Sequence, residues 1–153
     1  MAGVALLDVN VLVALFFAQH VHHEAAHDWF AGQRRRGWAT CAITENGFVR
    51  VASQQPTESG FVRPVEALAH LTRFCSDRHH HRWTELVSLT DDKLFVAAFI
   101  PSHRALTGVY LLGLARAMKG RLATFDRTIP IKSVRGASAA TLDVIGPVND
   151  PPA

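Results

Sequence analysis

Three acidic residues stand where a predicted strand or helix begins or ends: Asp8, Glu45 and Asp126. Asp8 closes the apolar run 4–7, Asp126 closes the run 121–125, and Glu45 falls in the first turn of a predicted helix. Carboxylates in one cleft repel one another, and a divalent cation removes that conflict. Mg²⁺ takes oxygen ligands, lowers the pKa of bound water and stabilises charge on a phosphate in transfer. The pattern therefore indicates metal-assisted phosphodiester hydrolysis, with helix capping as the simpler alternative.

The charge balance permits a nucleic-acid partner without requiring one. The 153-residue chain has 16 Lys and Arg against 13 Asp and Glu, which gives a formal net charge of +3 at pH 7. Most of these bases are Arg, which binds phosphate as a planar, two-pronged donor. A high-GC genome rich in Arg codons would explain the same bias, so both explanations stay open.

Length and hydrophobicity predict one globular domain. Hydrophobic residues make up 48% of the chain and charged residues 19%, which excludes a disordered or collagen-like protein. The longest apolar runs, 11–18 and 94–100, are far shorter than the roughly 20 residues that cross a bilayer, so no membrane partner is expected. The N-terminus lacks a basic segment, and the cysteines form no C-x-x-C pair. These features favour a reduced, cytoplasmic protein over a secreted one.

Short apolar segments alternate with segments of helical periodicity. Strands are predicted over 4–8, 38–41, 83–86, 121–126 and 142–145. Helices are predicted over 10–17, 22–36, 44–52, 65–76, 90–99 and 107–119, with a loop over 54–64. The alternation predicts an α/β fold, a three-layer α/β/α sandwich with a mostly parallel central sheet. One domain is expected over 1–146, followed by a flexible Pro-rich tail over 147–153. Ligands of such folds bind beyond the carboxyl ends of the strands, where Asp8 and Asp126 fall.

Four segments, in order, resemble the motifs of a known family. They cover residues 6–15, 44–50, 106–115 and 121–126. Their residues, order and spacing resemble those of PIN-domain ribonucleases, and most closely the VapC toxins of bacterial toxin–antitoxin pairs. The resemblance covers nearly the whole chain, and it agrees with the fold class predicted from the alternation of strands and helices.

The resemblance implies a site, a mechanism and partners. Asp8, Glu45 and Asp126 would be catalytic carboxylates that hold Mg²⁺, or Mn²⁺, and metal-activated water would attack the scissile phosphate of RNA. Asn10 and Thr124 would support the pocket by hydrogen bonds. The implied partners are a VapB-like antitoxin whose C-terminal segment packs over the cleft, an RNA substrate such as a tRNA or ribosomal RNA, and a second copy in a homodimer.

One position departs from the family pattern. Where the third motif of the family has an Asp metal ligand directly after its Thr, this chain has Gly108. Gly supplies no ligand oxygen, so we expect impaired or absent nuclease activity. Two explanations of Gly108 stay open. It is natural, and the chain is then a PIN-like protein that binds RNA or antitoxin without cutting RNA. Or it was introduced, because an active toxin harms the cell that expresses it. A phosphatase-like domain is a weaker alternative, because that pattern has an Asp where this chain has Asn10.

The remaining basic stretches carry weaker signals. Arg104, Arg116 and Arg127 lie close to the third and fourth motifs and are candidates for guiding an RNA phosphate, with salt bridges inside the fold as the alternative. The three consecutive histidines at 79–81 are expected to be an exposed polar stretch before a strand, because neighbouring side chains do not share one face.

Overall fold

The helices and strands follow one another in an α/β order. The structure is a computed structural model that describes residues 3–84 and 87–146. The strands are β1 (Ala5–Leu7), β2 (Trp38–Cys41), β3 (Pro56–Thr57), β4 (Gly60–Phe61), β5 (His80–Trp83), β6 (Arg121–Thr124) and β7 (Leu142–Val144). The helices are α1 (Val9–Phe16), α2 (His23–Gln33), α3 (Ala42–Ala52), α4 (Pro64–Phe74) and α5 (Leu106–Ala117). Single 3-10 turns cover Arg34–Arg36, Ala97–Phe99, His103–Ala105 and Ile131–Ser133.

The central sheet is five-stranded and parallel, in the order β5-β2-β1-β6-β7. The chain runs outward from β1 to β2 and β5, then returns to place β6 on the other side of β1. The strand order therefore reverses between β1 and β6, and a cleft opens at the carboxyl ends of strands at such a reversal. Asp8 directly follows β1 and Asp126 lies two residues after β6, so both flank this reversal.

Apolar side chains cover both faces of the sheet. Helices α1 to α4 pack on one face, where Trp38 and Phe48 are almost fully buried. Helix α5 packs on the other face, and its residues 109–115 are all buried. Strands buried on both sides need continuous apolar runs, which the all-buried β1 supplies. The predicted three-layer α/β/α sandwich is confirmed. Within the described ranges, no helix has the length and apolarity of a membrane span. The predicted tail 147–153 lies outside those ranges.

Two predicted elements are wrong. The strand predicted over 83–86 forms earlier in the chain, as β5. The reason is its pairing with β2, in which His80 lies opposite Trp38. Positions 85–86 lie outside the described residues. The helix predicted over 90–99 does not form. The backbone N–H of Val96 donates to Ser133 O at 2.8 Å, and Arg135 N–H donates to Leu94 O at 2.8 Å. These long-range bonds take up backbone groups that a helix would pair internally, so the segment forms only a hydrogen-bonded turn after Asp91 and the 3-10 turn Ala97–Phe99.

The other differences lie at element ends. Helix α1 begins at Val9, one residue before the predicted range 10–17, and Asp8 is its N-cap. Helix α3 begins at Ala42, and the side chain of Thr44 accepts from the backbone of Cys41 inside its first turn. The predicted loop 54–64 contains a short antiparallel hairpin formed by β3 and β4. Such shifts are expected, since local sequence specifies helix ends less sharply than it specifies periodicity.

Candidate active site

Asp8 is a buried carboxylate at the junction of β1 and α1. Its Oδ1 accepts from Val9 N–H at 2.7 Å, which caps α1, and its Oδ2 accepts from the Thr124 hydroxyl at 2.7 Å. Burial is the main cause that raises the pKa of Asp8. The bonds from Thr124 and Val9 oppose that rise, and the negative charge of Asp126 adds to it. Asp8 is therefore both a helix cap and a poorly solvated charge beside a second carboxylate.

Thr124 links the Asp8 carboxylate to the backbone of Asp126 through one hydroxyl. Its Oγ1 accepts from Asn10 Nδ2 at 3.2 Å and from Asp126 N–H at 3.0 Å. Because an ionised carboxylate is only an acceptor, the hydroxyl proton is committed to Asp8. Asn10 Oδ1 in turn accepts from Phe125 N–H at 3.2 Å. The structure thus brings together the four residues Asp8, Asn10, Thr124 and Asp126.

Asp8 and Asp126 line one cavity of about 410 Å³ at the reversal of strand order. Asp126 is partly exposed, and its Oδ1 accepts from the backbone and the hydroxyl of Thr128 at 2.8 and 2.6 Å. Gly108, in the first turn of α5, lines the same cavity. His20 and Gln55 also line it, and nothing in their local sequence pointed to this place.

Gly108 is closely covered by an apolar side chain. A Cβ placed at position 108 would lie 2.9 Å from both Cδ1 and Cγ1 of Ile129. Ile129 is only 6% exposed and belongs to the apolar cluster around α5. Position 108 therefore borders the cavity, and Ile129 packs into the space that a larger residue would need.

Glu45 does not join this cavity. Its Oε1 accepts from the Thr40 hydroxyl at 2.8 Å and from Arg82 Nε at 3.0 Å, between β2 and β5. Among the described residues, the lining of the cavity does not include Glu45. Successive helical residues are rotated by about 100°, and in α3 the neighbouring Asn46 and Gly47 lie beside Val9 instead. The predicted three-carboxylate pocket is thus formed by two carboxylates.

The three candidate arginines lie at two ends of the sheet. Arg104 is exposed and lines the Asp8–Asp126 cavity, and Arg127 is exposed beside Asp126 in sequence. Arg116 lies in another cavity, with Arg121 at the start of β6. Arg104 and Arg116 lie apart because α5 runs antiparallel to the strands. Its first turn, next to Arg104, is at the carboxyl ends of the strands, and its last turn, with Arg116, is at their amino ends. The prediction that Arg116 guides a phosphate at this site is therefore not supported by its position.

The fold and this cavity define a class of protein. The chain matches the PIN domain family over residues 5–134, and it belongs to that family. It is 46% identical to "Ribonuclease VapC44" of Mycobacterium tuberculosis (strain ATCC 25618 / H37Rv) over 134 residues, 88% of this chain and 94% of the relative. It is 38% identical to "Ribonuclease VapC39" of the same strain over 141 residues, 92% of this chain and 99% of that relative. Within the PIN domain family, the chain is of the VapC type, as the resemblance drawn from its sequence predicted.

Proposed function

We propose that this chain is the toxin of a VapBC-like module, a metal-dependent endoribonuclease whose RNA cleavage is impaired by Gly108. The observation that carries the proposal is the buried Asp8 carboxylate beside Asp126 in one cavity, where the strand order reverses. Relatives named as ribonucleases support RNA as the substrate class. The fold alone would not decide the activity, since one fold hosts many functions.

The donor set fits a hard divalent cation. Burial and the charge of Asp126 both disfavour an ionised Asp8, and a cation between the two carboxylates would offset both effects. Mg²⁺ commonly takes one or two protein carboxylates and keeps several waters, and Mn²⁺ suits the same oxygen ligands. Asp8 and Asp126 would hold the ion. When bound, the ion supplies a Lewis acid for the phosphate and lowers the pKa of a bound water.

The residues around the carboxylates have positioning roles in this proposal. Thr124 donates to Asp8 and fixes the orientation of that carboxylate, while Asn10 holds Thr124. Such outer hydrogen bonds commonly tune metal sites. Arg104, on the cavity wall, would bind an RNA phosphate with its planar guanidinium. Contacts of that kind are independent of sequence and weaken as salt rises.

Gly108 is the reason to expect impaired cleavage. The cavity has carboxylates from the ends of β1 and β6, and α5 contributes none in its first turn. Fewer carboxylate ligands lower the affinity of a hard-cation site and leave the attacking water less well positioned. Ile129 packs against Gly108, so an added Asp must also displace an apolar side chain.

The decisive experiment compares RNA cleavage by the chain and by its Gly108→Asp variant, each with Mg²⁺ and with EDTA. We expect the variant to cleave faster, and only with the metal. The same variant with Asp8→Asn is the control, because it should lose the gain. A Gly108→Asp, Ile129→Ala double variant covers the case in which steric crowding hides the gain. No gain in either form would count against position 108 as part of the site.

A non-catalytic binding protein on the same fold is the second candidate function. The close packing of Ile129 against Gly108 favours it, because this packing leaves little room for an acidic side chain. Such a protein would retard RNA in a gel at low salt in the presence of Mg²⁺ without shortening it. Cleavage by the unmodified chain that EDTA abolishes would exclude this candidate.

The partners implied by the VapC type remain part of the proposal. We propose that the chain binds a VapB-like antitoxin and forms a homodimer. The apolar side chains of Phe61, Val65 and Leu68, on β4 and α4, are exposed and could contact one of these two partners. Light scattering of the purified chain tests the homodimer. Co-expression with a candidate small DNA-binding protein from a neighbouring gene tests the antitoxin, which should then copurify in a fixed ratio.

A further inference from the structure

A mixed group of thiol, imidazole and carboxylate lies outside the Asp8–Asp126 cavity. It consists of Glu45 in the first turn of α3, Cys75 directly after α4, and His80 at the start of β5. One ligand atom from each of the three side chains lies within 4.8 Å of the others, and all three residues are partly buried. The elements that carry them are far apart in sequence, so only the folded chain assembles the group. Among the described residues, none of the three lines the Asp8–Asp126 cavity.

Thr40 organises this group through one hydroxyl. The hydroxyl donates to Glu45 Oε1 at 2.8 Å and lies 2.7 Å from His80 Nε2. Since its proton goes to the carboxylate, the hydroxyl accepts from His80, which places the ring proton on Nε2. Burial is the main cause that lowers the pKa of His80, which favours the neutral ring that binds metals. The side chains are thus already turned toward one another.

We propose that Glu45, Cys75 and His80 bind a transition-metal ion of the Zn²⁺ class, with water as a fourth ligand. A thiolate and an imidazole are ligands that Zn²⁺ prefers and that Mg²⁺ does not. Three protein ligands with one open position form a common zinc arrangement. Metal–ligand distances of about 2.0–2.3 Å bring tetrahedral ligands to within about 4 Å of one another, so the side chains need to contract by only on the order of 1 Å.

Binding requires two local rearrangements that the surroundings allow. Glu45 must loosen its contact with Arg82, whose side chain is 64% exposed and can turn into solvent. The Thr40 hydroxyl must give up His80, whose ring proton moves to Nδ1 so that Nε2 can bind the metal, and it can keep its bond to Glu45. In that position Thr40 would orient a metal ligand from outside the first coordination sphere. Burial raises the pKa of the Cys75 thiol, which releases its proton to solvent when the metal binds. The bound ion would tie α3, α4 and β5 together.

Titration of the full chain with Co²⁺ tests the site, because a cobalt–thiolate bond absorbs in the near ultraviolet and tetrahedral Co²⁺ has intense visible bands. We expect both signals to saturate at one equivalent and to disappear when Zn²⁺ is added. Cys75→Ser should remove the thiolate band, and His80→Gln should weaken binding by more than about 10-fold. Thr40→Val should weaken it by about 10-fold. Zn²⁺ should also raise the melting temperature of the unmodified chain.

The controls are matched to the ligands. His79→Gln changes the adjacent histidine, Cys41→Ala changes the other cysteine, and Asp8→Asn changes the other proposed cation site; all three should leave the cobalt spectrum unchanged. A thiolate band that survives Cys75→Ser would overturn the proposal. So would the absence of a thiolate band in the unmodified chain, or equal losses in His79→Gln and His80→Gln. The outcome is independent of RNA cleavage, so either proposal can fail alone.

Discussion

A side chain added at position 108 should cost stability, although alanine is normally the better helix residue. The new Cβ would lie 2.9 Å from Cδ1 and Cγ1 of Ile129, where carbon atoms prefer about 3.5–4.0 Å. Overpacking a core site costs about 1–3 kcal/mol, and replacing glycine by alanine in a helix returns about 0.5–1 kcal/mol. We therefore expect Gly108→Ala to lower the free energy of unfolding by about 1 kcal/mol.

Urea denaturation measures this change, and Gly32→Ala is the matched control. Gly32 lies in α2, where no described atom comes within 4 Å of an added Cβ, so we expect that variant to gain about 0.5–1 kcal/mol. Ile129→Ala removes both close carbons. In that background Gly108→Ala should stabilise the chain by about 0.5–1 kcal/mol, as Gly32→Ala does, which gives a coupling energy of about 2 kcal/mol between the two positions. If Gly108→Ala stabilises the chain as Gly32→Ala does, without coupling to Ile129, the steric argument is refuted.

The same position links stability to the metal. Gly108→Asp adds a third negative charge beside Asp8 and Asp126, so without metal it should be less stable than Gly108→Ala. A bound ion at 100 times its dissociation constant stabilises a fold by about 2.7 kcal/mol. We expect Mg²⁺ to raise the unfolding free energy of Gly108→Asp more than that of Gly108→Ala. Equal responses to Mg²⁺ in the two variants would contradict the placement of position 108 beside the ion.

Three further changes probe the packing, the charges and the site. A Cβ at Gly113 would enter the ring of Phe95, so Gly113→Ala should lower the urea midpoint by an amount equivalent to about 1–3 kcal/mol; an unchanged midpoint would contradict this packing. The hydrogen bond from Arg34 is the main cause that lowers the pKa of Asp77. A carboxylate whose pKa is lowered by folding stabilises the fold fully above its unfolded pKa, near 3.8, and loses that contribution as the pH falls further. Asp77→Asn should therefore lower the free energy of unfolding by about 1 kcal/mol at pH 7. This difference between the two proteins should shrink below pH 4. A loss of equal size at pH 3 would refute that explanation. Thr124→Val should weaken Mg²⁺ binding by about 10–100-fold, measured by calorimetry, because it removes the donor to the Asp8 carboxylate; unchanged affinity would remove Thr124 from the site.

Sequence was sufficient for the features that depend on local pattern. Asp8 and Asp126 were predicted to lie together because each ends a predicted strand, and parallel strands bring their carboxyl ends to one edge of the sheet. The sandwich followed from alternating strands and helices. Asn10 and Thr124 were supporting residues implied by the resemblance; in the structure Thr124 donates to Asp8 and Asn10 donates to Thr124.

Features that depend on long-range geometry could not be predicted in this way. Periodicity predicted a helix around Glu45 but did not show that its first turn directs this carboxylate toward Arg82. The helix predicted over 90–99 failed because residues 133–135 supply backbone partners from about 40 positions away. The histidines at 79–81 were expected to be exposed before a strand, whereas all three are partly buried, the last two lie in β5, and His80 contacts Thr40. Their spacing gave no sign of Cys75, which the fold brings beside them.

The central claim is that Asp8 and Asp126 hold one divalent cation, and paramagnetic Mn²⁺ tests it most directly. Its addition broadens the NMR signals of nearby amides in the metal-binding chain, whether or not the chain cleaves RNA. We expect the amide signals of Val9, Gly108 and Asp126 to broaden first, Mg²⁺ to reverse the effect, and Asp8→Asn to abolish it. Broadening that leaves these three amides unaffected, or that persists in Asp8→Asn, would contradict the account.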